Sequence, residues 1–155
     1  MADGGADRRF DHMKDFVFAS CYAGLAFGNA GCAAVHALSY SIGGAFHVPH
    51  GEANYQFFAE VLKLYAKREP DGKILELTEL FADVLGIPVD AGVYDALDTF
   101  LGGLIEKKRL RDYGMTEEQI DTFTQSTIDE QQRLLVNNYV PLSKDELRGI
   151  FAALY

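Results

Sequence analysis

The chain has 155 residues, of which 48% are hydrophobic, and this length suits one compact domain with its own core. Acidic residues outnumber basic ones by 23 to 14, giving a formal charge of −9 at pH 7 that disfavours nucleic acid and anionic membranes as partners. No apolar stretch reaches the roughly 18 residues of a membrane span and no secretory signal opens the sequence, so we expect a cytoplasmic protein.

Helical patterns follow one another along almost the whole chain. Residues 1–9 are the exception, and we expect them to form a polar stub outside the fold, either disordered or extraneous to the natural protein. The predicted helices cover residues 11–27, 32–42, 49–67, 73–85, 91–107, 117–124, 128–136 and 144–154. Gly43 and Gly44 are expected to end the second helix, and Ser143 with Glu146 forms a capping box at the start of the last. No strand-like alternation of useful length appears, so the pattern predicts an all-α bundle of about seven helices.

The two cysteines indicate neither a zinc cluster nor a disulfide framework. Cys21 and Cys32 are spaced neither as CxxC nor as in a zinc finger. We therefore expect both to be buried, reduced thiols that pack as small apolar side chains.

Residues 28–55 differ from the rest of the chain in composition. They hold three of the four histidines and five of the fifteen glycines. Glycine weakens helices and a buried imidazole needs a polar partner, so this mixture suits a metal or cofactor site better than a packed core. His36 lies near the middle of the second predicted helix and His50 at the start of the third, so the two imidazoles could converge on one ion.

Each histidine also has a plainer explanation. His36 could be a core histidine bonded to a backbone carbonyl, His47 could line a cavity mouth, and His12 is expected at the surface. A catalytic zinc or iron site normally takes roughly three or more protein ligands. The other candidate ligands nearby lack a diagnostic spacing; they are Glu52, Asp11 and Asp15. Either the site is not metallic, or its remaining ligands lie outside this chain.

The segment GNAGCAAVHALSYSIGGAFHVPHGEANY resembles the metal-binding signature of the iron-containing (group III) alcohol dehydrogenases. In that family a Val-His on one helix precedes a Pro-His-Gly-x-Ala-Asn by a fixed interval, and the matching residues here are 35–36 and 49–54. The later segments VYDALDTFLGGLI and QQRLLVNNYVPLS extend the likeness, which covers nearly everything from Asp7 onward. Residues 10–155 would then be part of the helical metal-binding domain of the dehydroquinate synthase-like fold.

The resemblance implies roles for four residues of this chain. His36 and His50 would be two of the four ligands of an Fe²⁺ or Zn²⁺ ion. Phe27 would face the nicotinamide of NAD. Tyr40 would lie near the substrate, at a position where many members of the family have a second histidine. That departure means that no histidine-mediated proton relay is carried over to this chain.

The family also implies components that this sequence does not display. The other two ligands, an Asp and a His one helical turn apart, would lie upstream of Met1, together with a Rossmann-like domain that binds the dinucleotide. The sequence itself has no βαβ pattern and no GxGxxG turn. We therefore expect part of a dehydrogenase that is inactive alone, with the N-terminal domain as a partner and a homo-oligomer where apolar surface is left exposed.

Within the family the sequence is most similar to members that oxidise 4-hydroxybutyrate to succinic semialdehyde with NAD. A carboxylate substrate needs a cationic anchor, for which Arg133 is a candidate, although a solvated position is the commoner one for an arginine. Two alternatives stay open. One is a dehydrogenase of another short alcohol, and the other is a non-catalytic helical binding or scaffold module that keeps the histidines as relics.

Overall fold

The computed structural model describes residues 6–155, which are helical or irregular throughout and contain no strand, confirming the predicted all-α class. Eight α-helices follow in chain order: α1 Met13–Ala30, α2 Ala34–Phe46, α3 His50–Arg68, α4 Lys73–Leu85, α5 Val93–Gly102, α6 Gln119–Glu130, α7 Gln132–Leu135 and α8 Lys144–Leu154. Two 3₁₀ helices, Ala6–Phe10 and Leu110–Tyr113, lie before α1 and between α5 and α6. Of the predicted stub, residues 6–9 belong to the first 3₁₀ helix, and residues 1–5 lie outside the described part of the chain.

The pair α2 and α3 forms the centre of the molecule. The opposite side of α2 packs against α6 and α7, while α3 packs against α4, α5 and α8. The side chains of Leu38, Ile42 and Phe57 are fully buried between these layers. Phe57 also meets Phe151 of α8 edge to face, with ring centroids 5.5 Å apart and planes at 81°. The almost uncharged sequence of α2 therefore follows from its burial between two layers of helices.

Most predicted helix boundaries lie within a few residues of the observed ones, and α4 and α8 agree at both ends. The capping box of α8 is present, since the Ser143 hydroxyl accepts from the Glu146 N–H and the Glu146 carboxylate accepts from the Ser143 N–H. The prediction that glycines end α2 is wrong, because α2 continues through Gly43 and Gly44 to Phe46. Two interior glycines cost only about 2 kcal/mol in helix propensity, and burial of α2 outweighs that cost.

The real end of α2 is set by His47 and the proline that follows. His47 has φ 55° and ψ 31°, a left-handed conformation that stops the helix. Pro49 disfavours helical geometry at the residue before it and then serves as the N-cap position of α3. The chain thus reverses between α2 and α3 within three residues.

Helix α1 is exposed along its whole length in the described part of the chain. None of its residues is buried, and its large apolar side chains are 45–69% exposed; they include Phe16, Val17, Phe18, Tyr22, Leu25 and Phe27. The expectation that both cysteines are buried is therefore wrong, since Cys21 on α1 is exposed and Cys32 is half-buried. No single helix among residues 6–155 has the length and hydropathy of a membrane span; α1 and α2 meet that test only together, as a pair bent by 106°.

The turn between α1 and α2 is bound to a distant part of the chain by two asparagines that follow α7. Asn138 Oδ1 accepts from the N–H of Ala34, the first residue of α2, at 2.8 Å and from the Tyr65 hydroxyl, also at 2.8 Å. Asn137 Nδ2 donates to the Cys32 carbonyl at 3.0 Å. These bonds fix the N-terminal end of α2, the helix that carries His36, against α3 and α7.

We expect Asn138→Ala to lower the free energy of unfolding by about 2–4 kcal/mol, because it leaves two donors without an acceptor and each unpaired buried group costs about 1–3 kcal/mol. Both donors are inaccessible to compensating water: Ala34 is 0% exposed and Tyr65 is 7% exposed. Urea denaturation followed by circular dichroism measures the change. Asn29→Ala is the matched control, since Asn29 is exposed and donates only to the Leu25 carbonyl one turn earlier. Equal losses in both variants would show that the Asn138 bonds contribute nothing specific.

Candidate metal centre

The reversal between α2 and α3 places His36 and His50 side by side. Their ring centroids are 5.2 Å apart and their planes are inclined at 55°. Two imidazoles that bind one tetrahedral ion at about 2.1 Å through nitrogen have ring centroids about 5 Å apart. The two histidines predicted as ligands are therefore brought together at a separation that fits a shared ion.

Both imidazoles also point the same ring nitrogen at one atom. Asn54 Nδ2 lies 3.0 Å from His50 Nε2 and 3.3 Å from His36 Nε2. Asn54 is one turn after His50 on α3, so the two side chains share a face of that helix. The amide is held in turn by Ser39 of α2, whose hydroxyl donates to Asn54 Oδ1 at 2.6 Å. Ser39 is 1% exposed, so this hydrogen bond is shielded from water.

The electrostatic environment keeps His36 in the form that can bind a metal ion. Burial lowers the pKa of His36, and the neighbouring His50 imidazole lowers it further. A lower pKa leaves the ring neutral near pH 7, with a lone pair free for coordination. Convergence of two Nε2 atoms, a fitting ring separation and a neutral imidazole together make the pair suitable for Fe²⁺ or Zn²⁺.

Tyr40 and a cleft lie next to the histidine pair. The Tyr40 ring centroid is 6.1 Å from that of His50. The cleft has a volume of about 520 Å³ and is lined by Ser39, Tyr40, Gly43, Gly44, Val48, His50, Ala53 and Gln131. The Gln131 Oε1 atom is buried and lacks a hydrogen-bond partner within the described part of the chain. A polar group of a bound molecule could therefore pair with Gln131 while contacting Tyr40.

Glu52 does not join the two histidines. Its Oε1 atom accepts from the Tyr113 hydroxyl at 2.7 Å and from Lys108 Nζ at 3.3 Å. The Tyr113 bond and the Lys108 charge hold the pKa of the Glu52 carboxyl below its usual value. Burial and the Glu52 carboxylate raise the pKa of Tyr113 in the same network. Glu52 therefore anchors the first turn of α3 rather than serving as the third ligand.

The remaining candidate ligands do not complete the site either. Asp11 and Asp15 are exposed near α1, and Asp15 lies 3.4 Å from the exposed His12. Among residues 6–155, no group of three or more His, Cys, Asp or Glu side chains is placed to hold a metal ion. The described part of the chain thus supplies a pair of imidazoles and no further donor of these types.

Three other residues singled out from the sequence do not line the cleft beside the histidine pair. Phe27 is 56% exposed on α1 and does not line the cleft, so its contact with a nicotinamide stays a prediction. His47 is exposed at the end of α2. Arg133 is exposed on α7 and does not line the cleft, which agrees with a solvated position rather than with a substrate anchor.

Three polar residues of the site were not predicted from the sequence. Asn54 lies within the signature segment, one helical turn after His50, and Ser39 lies three residues after His36. Both spacings place the side chains near the ligands on α3 and α2, and this is the signal that could have found them. Gln131 carries no such signal, because only the packing of α6 and α7 against α2 brings it to the cleft.

Comparison with known proteins identifies the class to which this fold and site belong. Residues 1–155 match the family described as Fe-containing alcohol dehydrogenase family, C-terminal. The chain therefore belongs to the Fe-containing alcohol dehydrogenases and corresponds to their C-terminal helical part. The fold agrees with the expectation from the sequence signature, and the ligand roles of His36 and His50 stay a prediction.

Individual relatives differ in how similar they are to this chain. The chain is 51% identical over 155 residues to the 4-hydroxybutyrate dehydrogenase of Clostridium kluyveri, covering 100% of this chain and 42% of that protein. It is 29% identical over 145 residues to long-chain-alcohol dehydrogenase 1 of Geobacillus thermodenitrificans, covering 91% of this chain and 36% of that one. The crystal structure of an archaeal halo-thermophilic Red Sea brine pool alcohol dehydrogenase, ADH/D1, superposes with a TM-score of 0.69 and 25% identity over 81% of this chain and 33% of that one. The chain thus spans less than half the length of these relatives.

Proposed function

We propose that this chain is the metal-binding helical part of an NAD-linked dehydrogenase that interconverts 4-hydroxybutyrate and succinic semialdehyde. The observation that carries the proposal is the 51% identity along the whole chain to the Clostridium kluyveri enzyme of that name. The paired His36 and His50 support it, because the metal chemistry of such an enzyme needs converging imidazoles. A cytoplasmic location, expected from the sequence, is kept as part of the proposal.

The roles of the chain's residues follow from the geometry around the cleft. His36 and His50 would hold the ion through their Nε2 atoms, which Asn54 Nδ2 contacts in the present structure while Ser39 holds the Asn54 amide. When bound, Fe²⁺ or Zn²⁺ supplies a Lewis acid that lowers the pKa of the alcohol hydroxyl and polarises the aldehyde carbonyl. Tyr40, beside His50 at the cleft, would contact the substrate and limit the access of water.

The described residues do not by themselves fit a dinucleotide. Within residues 6–155 there is no strand and therefore no strand–turn–helix unit of the kind that binds a pyrophosphate. We propose that NAD is bound by a further part of the enzyme, which also brings the remaining metal ligands. Phe27, exposed on α1, is the residue of this chain proposed to meet the nicotinamide.

We expect the purified chain to bind Co²⁺ weakly, and His36→Ala or His50→Ala to raise the Kd at least about tenfold, because each removes one of two imidazole donors. Isothermal titration with Co²⁺, supported by its visible absorption, measures the affinity. His12→Ala is the matched control, since His12 is exposed and contacts only Asp15. The same Kd in all three variants would remove the support for the ligand pair and favour a helical module with relic histidines.

Residues 1–155 alone are expected not to oxidise NADH with succinic semialdehyde in the presence of Fe²⁺ or Zn²⁺, because residues 6–155 form no strand–turn–helix unit for a dinucleotide. A chimera in which they replace the matching 155 residues of the Clostridium kluyveri enzyme should restore turnover. We expect a higher kcat/KM for 4-hydroxybutyrate than for 1-butanol, and loss of turnover on His50→Ala. A preference for 1-butanol would redirect the proposal to a dehydrogenase of simple alcohols, and turnover by the chain alone would contradict it.

We also propose that the isolated chain self-associates through α1. The apolar surface exposed on α1 is larger than a soluble monomer normally leaves in contact with water. Packing of α1 against a second copy of the chain would bury that surface. Within α1, no residue after Asp15 carries a charge that would oppose such contact.

Sedimentation equilibrium of the chain, whose mass is 17.1 kDa, should therefore give a weight-average mass above that of the monomer. The double variant Phe16→Ser/Phe18→Ser should shift the mass toward the monomer, because it removes two aromatic side chains from the contact. Leu80→Ser/Val84→Ser is the matched control on α4, where both residues are similarly exposed. A monomeric wild type, or the same decrease in the control, would contradict association through α1.

A further inference from the structure

The amide of Asn54 faces the space that an ion between the two histidines would need. Its Nδ2 atom lies 3.0 Å from one Nε2 and 3.3 Å from the other, within reach to donate to both nitrogens when each imidazole carries its proton on Nδ1. An ion bonded to both nitrogens at about 2.1 Å would lie between them and the amide. An N–H donor cannot face a cation at that distance, so the amide must turn or move away when an ion binds.

The hydrogen bonds of Ser39 indicate that turning is the available route. Its hydroxyl carries one proton but has two acceptors within reach, Asn54 Oδ1 at 2.6 Å and the His36 carbonyl at 3.0 Å. In the present orientation the proton goes to Asn54 Oδ1. With the amide reversed, Asn54 Nδ2 would donate to Ser39 Oγ, and the hydroxyl would donate to the His36 carbonyl instead. The Ser39 hydroxyl therefore has an acceptor in both orientations of the amide.

Reversal of the Asn54 amide replaces a hydrogen-bond donor with an acceptor in the space between the histidines. Asn54 Oδ1 would then face the two Nε2 atoms, so that three lone pairs and no proton point to one place. Without a cation that arrangement is unfavourable, because the three acceptors repel one another and have no donor. With a divalent cation it is favourable, because imidazole nitrogen and amide oxygen are both suitable donors.

We propose that Asn54 is a metal-responsive third donor: its Nδ2 holds the two imidazoles together in the metal-free chain, and its reversed amide gives Oδ1 to the bound ion. The inference rests on the proposed role of His36 and His50 and adds a ligand from within the chain. It is coupled to a rotation of the Ser39 hydroxyl from Asn54 to the His36 carbonyl. The amide turns about a terminal torsion, so the backbone of α3 need not move.

Co²⁺ titration of Asn54 variants tests the proposal. Asn54→Ala should raise the Kd for Co²⁺ about tenfold, because it removes a metal ligand. Asn54→Asp should lower the Kd by a similar factor, because a carboxylate oxygen is a stronger metal ligand than an amide oxygen and an ionised carboxylate cannot donate hydrogen bonds to the imidazoles. Asn29→Ala on exposed α1 should leave the Kd unchanged. A Kd for Asn54→Ala equal to or below that of the wild type overturns the proposal, because the amide would then only compete with the ion.

A second measurement uses the wild-type chain and does not depend on how the variants fold. The ¹⁵N resonance of the Asn54 side-chain amide, recorded with and without Zn²⁺, should shift as its bonds to the imidazoles are replaced by one to Ser39 Oγ. Ser39→Ala should remove the zinc-bound position of the signal. An amide signal that zinc leaves unchanged overturns the inference. His variants that weaken binding while Asn54→Ala does not would overturn this inference alone; His variants without effect would overturn the proposed function as well.

Discussion

The packing of α2 against α3 is the contact on which the rest of the structure depends. Only three residues separate the helices, and fully buried side chains, Leu38, Ile42 and Phe57 among them, fix how they lie together. His36 and His50 project from these helices, so their separation is set by the core rather than by any bond between the rings. A core packed at the density of a solid resists displacement of either helix, so the two rings keep this separation without a bound ion.

The metal site proposed for His36 and His50 would have consequences for assembly. Two donors bind a divalent ion weakly, and donors from a further part of the enzyme would raise the affinity as that part docks. Metal retention and docking would then stabilise each other, since a ligand that binds only the assembled state shifts the equilibrium toward it.

The sequence was informative wherever local chemistry decides the structure. The capping residues of α8 and the apolar period of α4 placed both helices to the residue, and the signature segment paired His36 with His50. It was misleading where packing overrides local preference, as when α2 passes through two glycines that a solvent-exposed helix would not tolerate as well. The expected burial of Cys21 was wrong, because the apolar residues of α1 predict an apolar face but do not show that another element covers it.

The polar surroundings of the site were the least accessible to sequence reasoning. Asn54 and Ser39 are ordinary helix residues until the two helices are brought together, and Asn138 bonds to residues more than seventy positions away. Such contacts depend on tertiary geometry that no periodicity encodes.

The junction between α1 and α2 turns the chain sharply at Gly31. Its φ of +78° is a conformation that favours glycine, and a Cβ there would lie 2.6 Å from Asn137 Nδ2. The direction of α1 is thus set by this turn and by the hydrogen bonds of Asn137 and Asn138 to it, and not by packing of α1 itself. Residues 31–33 therefore determine where a molecule bound to α1 would lie relative to His36 and His50. If α1 contacts a further part of the enzyme, as proposed for Phe27, a change in residues 31–33 alone would shift that contact relative to His36 and His50.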